Sequence, residues 1–148
     1  MRRWNGWGDE TTDYALPASA ARYLEAQIGA GTPFEDVSLE KMVTAVPESP
    51  LGAHVLITPD SLDRLLHARG QSLPDWVAMR SGRIGAFPDG IAYPVQDEDV
   101  RALFEYARRN HVRLIPYGGG TSVVGHINPR SIDAPTLTID LSRLNRLI

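Results

Sequence analysis

The chain has no cysteine and a single lysine, Lys41, among its 15 basic residues. The first absence excludes a disulfide framework, a thiolate metal site and a cysteine nucleophile. The second leaves arginine as almost the only cation, a bias read as genomic before functional. No apolar run reaches the roughly 18 residues needed to span a bilayer. The opening Met1-Arg2-Arg3-Trp4-Asn5-Gly6 has two arginines with no apolar stretch behind them, so it is read as neither a secretory signal nor a twin-arginine leader. A basic excess is missing too: 15 Lys+Arg stand against 18 Asp+Glu, a formal net charge of -3 at pH 7. Domains that neutralise nucleic-acid phosphates carry the opposite balance, so no nucleic-acid partner is expected. What is present is ordinary, 43% hydrophobic and 22% charged over 148 residues. Such a chain can bury about 70% of its unfolded surface, which excludes disorder as the default.

Texture changes near Phe87, where Gly85-Ala86-Phe87-Pro88-Asp89-Gly90 separates two differently built halves. Residues 1–86 read as a helical and irregular region. Trp4-Asn5-Gly6-Trp7-Gly8 predicts a turn with two tryptophan packing anchors. Ala20, Tyr23, Leu24 and Ile28 predict a helix over Ser19–Gly29 with one apolar stripe. A second helix is expected from an N-cap at Thr58, with Leu62, Leu65 and Leu66 buried and Gly70 as its C-terminal cap. A third runs from Pro74 to Arg80, presents Trp76 and Val77, and stops at Gly82.

Residues 87–148 read as α/β. Ile91–Val95 predicts a strand, a helix capped by Asp97 runs through Asn110, and Val112–Pro116 predicts the next strand. Val100, Leu103, Phe104 and Ala107 fall at i, i+3, i+4 and i+7, the stripe a crossover helix needs to cover a sheet. This is a β-α-β unit, whose crossover permits parallel strands. A last strand is expected over Thr136–Leu141.

The segment Pro116-Tyr117-Gly118-Gly119-Gly120-Thr121-Ser122-Val123-Val124-Gly125 follows the second of these strands directly. Ligands bind at the carboxyl ends of strands in open α/β sheets. Three consecutive glycines let the backbone take positive φ and turn successive N–H groups toward one concave point, which suits a pyrophosphate. Thr121 and Ser122 add hydroxyl donors. The Walker pattern is excluded because no lysine lies nearby, and the dinucleotide fingerprint fails because its third glycine falls on Val123. A glycine-rich surface turn is the plainer alternative.

With those flanks, Ile115–Val123 resembles the FAD pyrophosphate loop of the vanillyl-alcohol-oxidase, or PCMH-type, flavoprotein superfamily. Upstream, Tyr93-Pro94-Val95 with Asp97-Glu98-Asp99-Val100 resembles the superfamily's entry strand and helix, and downstream Ile139–Arg146 resembles its DLSRMNRI segment. Two further stretches, Arg3-Trp4-Asn5-Gly6-Trp7-Gly8 and His67-Ala68-Arg69-Gly70-Gln71-Ser72-Leu73, resemble the alkyldihydroxyacetonephosphate synthase (alkylglycerone-phosphate synthase) branch and its bacterial FAD-linked oxidase relatives.

The resemblance implies an α/β (α+β) fold: an N-terminal helical segment over 1–86, then the first part of a PCMH-type FAD-binding domain over 87–148. It implies FAD as cofactor, with its pyrophosphate on Pro116, Tyr117, Gly118, Gly119, Gly120, Thr121 and Ser122, mostly through main-chain N–H groups. It also implies a longer enzyme, a fragment ending at Ile148 that lacks the part binding a small-molecule or lipid substrate, so no catalytic residue is assigned here. A homodimer is compatible with the full-length enzyme. The expected location is the cytoplasm, a lipid substrate being the route to a membrane surface. The synthase branch implies exchange of an acyl group for a fatty alcohol without net redox change. The alternatives are an FAD-dependent D-lactate- or glycolate-type dehydrogenase, and a non-enzymatic anion-binding module. No metal is expected from His54, His67, His111 or His126, and His126 is read as structural or solvent-facing.

Some members of the superfamily carry a histidine where Thr121 stands and attach the flavin covalently through it. A threonine side chain offers no such linkage. Acid precipitation of the flavin-loaded full-length protein is expected to leave the yellow colour in the supernatant; a pellet that keeps it contradicts a dissociable FAD.

Overall fold

Two sequence periods position everything else: a helical one in Asp97–Asn110 and a twofold one in Thr136–Asp140. The computed structural model describes residues 3–32, 34–130 and 134–146. Met1, Arg2, Leu147 and Ile148, on which some of the expectations above fall, lie outside them. In chain order the elements are α1 (Ala18–Ile28), α2 (Leu39–Thr44), β1 (Ile57–Thr58), α3 (Ser61–Leu66) and α4 (Leu73–Ser81). There follow β2 (Gly90–Ala92), α5 (Asp97–Asn110), β3 (Arg113–Tyr117), β4 (Thr136–Asp140) and a 3-10 turn at Leu141–Arg143. A likeness to an α/β architecture is thus observed as a mixed four-stranded sheet with helices.

The strand order is β1-β2-β4-β3, with β1 antiparallel to β2 and both β2 and β3 parallel to β4. The β2–α5–β3 crossover therefore skips one position, and the last strand enters the gap between its two arms. Flanked on both sides, β4 is buried at all five positions, as a central parallel strand must be. Its alternate residues divide the molecule. Leu137 and Ile139 join Ala92, Leu103, Ala107 and Val112 in a core under α5. Thr136, Thr138 and Asp140 occupy the other face. Leu103 is wholly buried, worth about 1.5–3 kcal/mol for such a side chain.

Helix α5 has the expected bounds but not the expected cap. Asp97 is its first helical residue, and Gln96 stands at the cap position without a capping side-chain bond. Asp99 holds the entry instead, its carboxylate accepting from the Val95 N–H at 2.9 Å and from Gln96 at 3.3 Å. Of the predicted stripe, Leu103 and Ala107 are buried, whereas Phe104 is 59% exposed.

The N-terminal region builds a second core from Met42, Val46, Leu65, Ala68, Met79 and Ile84, against which Trp4 and Trp76 pack. Trp7, expected as a second anchor, is 74% exposed. Helix α1 forms, but Tyr23, Leu24 and Ile28 of its stripe face solvent, and none of its residues is buried. Thr58 does not cap a helix: it lies in β1, paired with Ile91, and the cap of α3 is Asp60, which accepts from the Asp63 N–H. This later start rotates the short helix. It buries Arg64 and Leu65 and leaves Leu62 and Leu66 exposed. Its C-terminal cap is His67, not Gly70.

Buried Arg64 is tolerable because its guanidinium donates to two carbonyls, Pro88 O at 2.7 Å and Pro47 O at 2.6 Å. Burial still pulls it below the ordinary arginine value, with Asp89 acting in the opposite sense. Helix α4 is framed by a capping box at Ser72 and Asp75 and by Gly82, whose φ of 71° supplies the left-handed cap.

The two regions are joined across the strand ends by His67 and Asp140. Nδ1 of His67 lies 2.7 Å from the Asp63 carbonyl and Nε2 lies 3.0 Å from Asp140 Oδ2. The ring thus bridges a main-chain carbonyl on one side and a carboxylate on the other. The imidazole packs against the Tyr117 ring, tilted by 56° with the centroids 4.4 Å apart, and meets Tyr93 edge-on. Burial alone would raise the Asp140 carboxyl, but the hydrogen bonds from His67 and Ser142 outweigh it and hold the group below the usual carboxylate value.

A depressed native value means that the folded state binds the Asp140 proton less readily than the unfolded chain. The resulting stability is complete above the unfolded carboxylate value of about 4 and is lost as pH falls through the native one. Asp140→Asn weakens the hydrogen bonds from His67 and Ser142 to a charged acceptor and is therefore expected to cost about 2 kcal/mol in urea denaturation at neutral pH. It should also flatten the acid side of the stability profile. A variant as stable as the wild type at neutral pH, with the same acid slope, contradicts this role for the pair.

Candidate functional site

Strand β3 ends at Tyr117, which pairs with Asp140 across the ladder, and the glycine loop starts from that point. A β-hairpin exit is not available to parallel strands, so the chain must leave the sheet edge here in irregular backbone. Gly120 takes φ of 68° and Gly125 φ of 71°, conformations that favour glycine. Gly118 and Gly119 are exposed for a different reason. A Cβ at Gly118 would meet nothing within 4 Å, and one at Gly119 would meet only Thr121 Cγ2 at 3.8 Å. Neither has positive φ. The protein's own packing therefore does not require glycine at these two positions; what the missing side chains leave is backbone open to close approach from outside.

Of the seven residues singled out in the sequence, Pro116 and Tyr117 end β3 and the other five, Gly118 to Ser122, form the loop that leaves it. Pro116 is exposed, has no N–H, and lies opposite Ile139 in the ladder. Tyr117 is buried with its ring on His67, so only its main chain faces the loop. Gly120 is buried and Thr121 exposed. Ser122 is half-buried, its Oγ 3.1 Å from His126 Nδ1, and its carbonyl accepts from the Gln71 N–H at 2.6 Å. The loop lines an open depression of about 390 Å³ together with Val123, Val124, His126 and Ile127. Among the described residues, no protein acceptor takes the N–H groups of Gly119, Gly120 or Thr121. A concave, exposed loop with free amides fits an anion, and a pyrophosphate offers several oxygens to accept from it.

A larger depression, about 470 Å³, lies between Val46 and Arg64. Its one cation, Arg64, is 1% exposed and donates to two carbonyls, which leaves only the buried Nη2 without a partner, so the glycine loop is the better candidate.

Residues far away in sequence hold this loop. Asn128 accepts from the Gly70 N–H through Oδ1 at 3.0 Å and donates through Nδ2 to Asp75 Oδ1 at 2.6 Å. Gly70 abuts the Ser122 carbonyl so closely that any Cβ there would overlap it. Neither Asn128 nor Asp75 stood out in the sequence. Asp140 lay within the downstream resemblance and His67 within the upstream one, but their pairing did not. Arg143 lies 4.9 Å over the Tyr93 ring. The Tyr93 hydroxyl donates to Asp63, and burial, reinforced by the Asp63 charge, pushes it above the ordinary phenol value.

The remaining histidines show no such convergence. His54 accepts from the Leu56 N–H and tilts against Tyr106, while His111 forms the left-handed cap of α5 with φ of 54°. Among the described residues, no group of three or more His, Asp or Glu is placed to hold a metal ion. No helix among them is long and apolar enough to cross a membrane.

Comparison with known proteins gives this geometry a context. The model of the FAD binding domain family matches residues 88–148. Alkyldihydroxyacetonephosphate synthase of Dictyostelium discoideum is 38% identical over 89 residues, covering 60% of this chain and 15% of that protein. The mitochondrial D-lactate dehydrogenase [cytochrome] 1 of Saccharomyces cerevisiae is 36% identical over 56 residues, covering 38% of this chain and 9% of its own length. A solved structure of alkyldihydroxyacetonephosphate synthase superposes with a TM-score of 0.72 at 24% identity, over 99% of this chain and 33% of that one. The chain thus spans only a small part of the relatives it matches. Residues 88–148 thus match the FAD binding domain family, and the fold as a whole is one shared with alkyldihydroxyacetonephosphate synthase.

Proposed function

We propose that this chain holds the pyrophosphate of a non-covalent FAD on the main-chain N–H groups of Tyr117, Gly118, Gly119, Gly120, Thr121 and Ser122, with Pro116 shaping the strand exit. The observation that carries this reading is the open space at Gly118 and Gly119, where glycine serves approach from outside and not internal packing. Thr121 and Ser122 add hydroxyls, and the buried Tyr117 ring fixes the first limb of the loop against His67. In this reading residues 1–86 support the loop, and residues 87–148 are the first part of the flavin domain.

The whole protein is proposed to be an alkyldihydroxyacetonephosphate synthase-like flavoenzyme. When bound, the flavin supplies the reactive ring on which the chemistry takes place. The substrate, a small molecule or a lipid, is taken by parts of the enzyme outside this chain, and a lipid would draw a cytoplasmic enzyme to a membrane surface. Self-association as a homodimer belongs to the same reading. A second reading, an FAD-dependent 2-hydroxy-acid dehydrogenase, is favoured by the D-lactate dehydrogenase match. The synthase reading has the wider support, because its structural likeness extends over the N-terminal region as well.

Gly119→Val tests the cradle. Because the position has room for a side chain and ordinary φ, the substitution is expected to change stability by no more than about 0.5 kcal/mol. It should nevertheless abolish flavin retention in the full-length protein, read from the visible absorption bands. A folded variant that keeps its full flavin content overturns the assignment.

A further inference from the structure

The far limb of the glycine loop, Ser122 to Asn128, contains no helix or strand. Its position is fixed from outside, by the segment that opens α4. Asp75 is 3% exposed, and the helix start holds it rigidly: its Oδ2 accepts from the Ser72 N–H at 3.2 Å and from Ser72 Oγ at 2.6 Å. The second oxygen is turned to Asn128, with Arg69 Nη1 at 3.8 Å from the same atom. Asn128 in turn accepts from Gly70 and closes the loop on itself, its own N–H donating to the Gly125 carbonyl at 3.1 Å. The partners fix the amide orientation, since Gly70 N–H needs an acceptor and the Asp75 carboxylate needs a donor. A parallel link from the Gln71 N–H to the Ser122 carbonyl anchors the same limb.

We propose that Asp75 and Asn128 are positioning residues for cofactor binding: through their shared hydrogen bond, the start of α4 sets the shape of the glycine loop and hence its affinity for FAD. This rests on the reading of the loop as a pyrophosphate cradle. Neither side chain touches the cofactor in this account. Each amide of the loop must point at the same anion, so a small displacement of the far limb misaligns several donors together. An unconnected loop would retain the fold but sample many orientations, and ordering it would then weaken binding.

The bridge has a chemical inverse that makes it testable. In Asp75→Asn/Asn128→Asp the carboxylate moves to position 128, where it still accepts from Gly70, and the new amide at position 75 donates to it. The single variant Asn128→Asp places two carboxylates face to face. FAD titration of the full-length apoprotein, followed by the visible absorption change, is expected to show about tenfold weaker binding for Asn128→Asp and for Asn128→Leu. The double variant should return to within about threefold of wild type, with binding measured well below each variant's melting temperature.

Wild-type affinity in folded single variants, or a double variant no better than Asn128→Asp, overturns the positioning role. If Asn128→Asp does not fold, the double variant decides alone: affinity within about threefold supports the bridge and a tenfold loss overturns it. Gly119→Val separates the two proposals. If it abolishes binding while the bridge variants bind normally, only the positioning role fails. If the wild-type protein takes up no FAD at all, the cradle fails and the positioning role with it.

Discussion

The buried contact between His67 and Asp140 is the constraint on which the rest of the structure turns. It joins the end of α3 to the end of β4, and the Tyr117 ring packs against the same imidazole at a tilt. The near limb of the glycine loop is thereby fixed to both halves of the molecule at once. Burying such polar groups is costly, and the cost is offset only when their donors and acceptors are satisfied. Here they are: Asp63 takes the second ring nitrogen, and the Ser142 N–H donates to the other oxygen of Asp140 at 2.8 Å. Without this contact, the near limb of the loop would be attached to the sheet alone, and only the far limb would be held by the Gly70–Asp75 segment.

The N-terminal region is therefore more than a preface to the flavin-binding part. It supplies β1 to the sheet, Arg64 to the carbonyl preceding β2, and the Gly70–Asp75 segment to the far limb of the loop. Gly70 and Gly90 explain how the two parts come so close. At Gly70 any side chain would overlap the Ser122 carbonyl, and at Gly90 a Cβ would lie 2.7 Å from Ile57. Both are close approaches of backbone to neighbour, in contrast to the open space at Gly118 and Gly119. The same residue type thus serves internal packing at two positions and, in the proposed reading, external access at two others.

Much of this was legible where the information is local. The α5 stripe, the order of elements around it and the glycine loop could be read because spacing and composition act within a few residues. Strand order was not legible, since insertion of β4 between β2 and β3 depends on pairings far apart in sequence. The α3 register was missed for a related reason: a six-residue helix has no long stripe, and a cap moved from Thr58 to Asp60 turns Arg64 inward and Leu62 outward. Helix α1 shows the converse case, an amphipathic pattern whose apolar side has nothing packed on it among the described residues. Asn128 and Asp75 carry no local signal, being 53 positions apart and polar in the ordinary way.

The central claim is that the amides of the Gly118–Ser122 segment receive the cofactor's pyrophosphate. The most direct measurement is a crystal structure of the flavin-loaded full-length protein. The account predicts pyrophosphate oxygens within hydrogen-bonding distance of these main-chain N–H groups, with Asn128 still bridging Gly70 and Asp75 behind the loop. A bound FAD whose pyrophosphate lies against other residues, with the glycine loop turned to solvent, would contradict it.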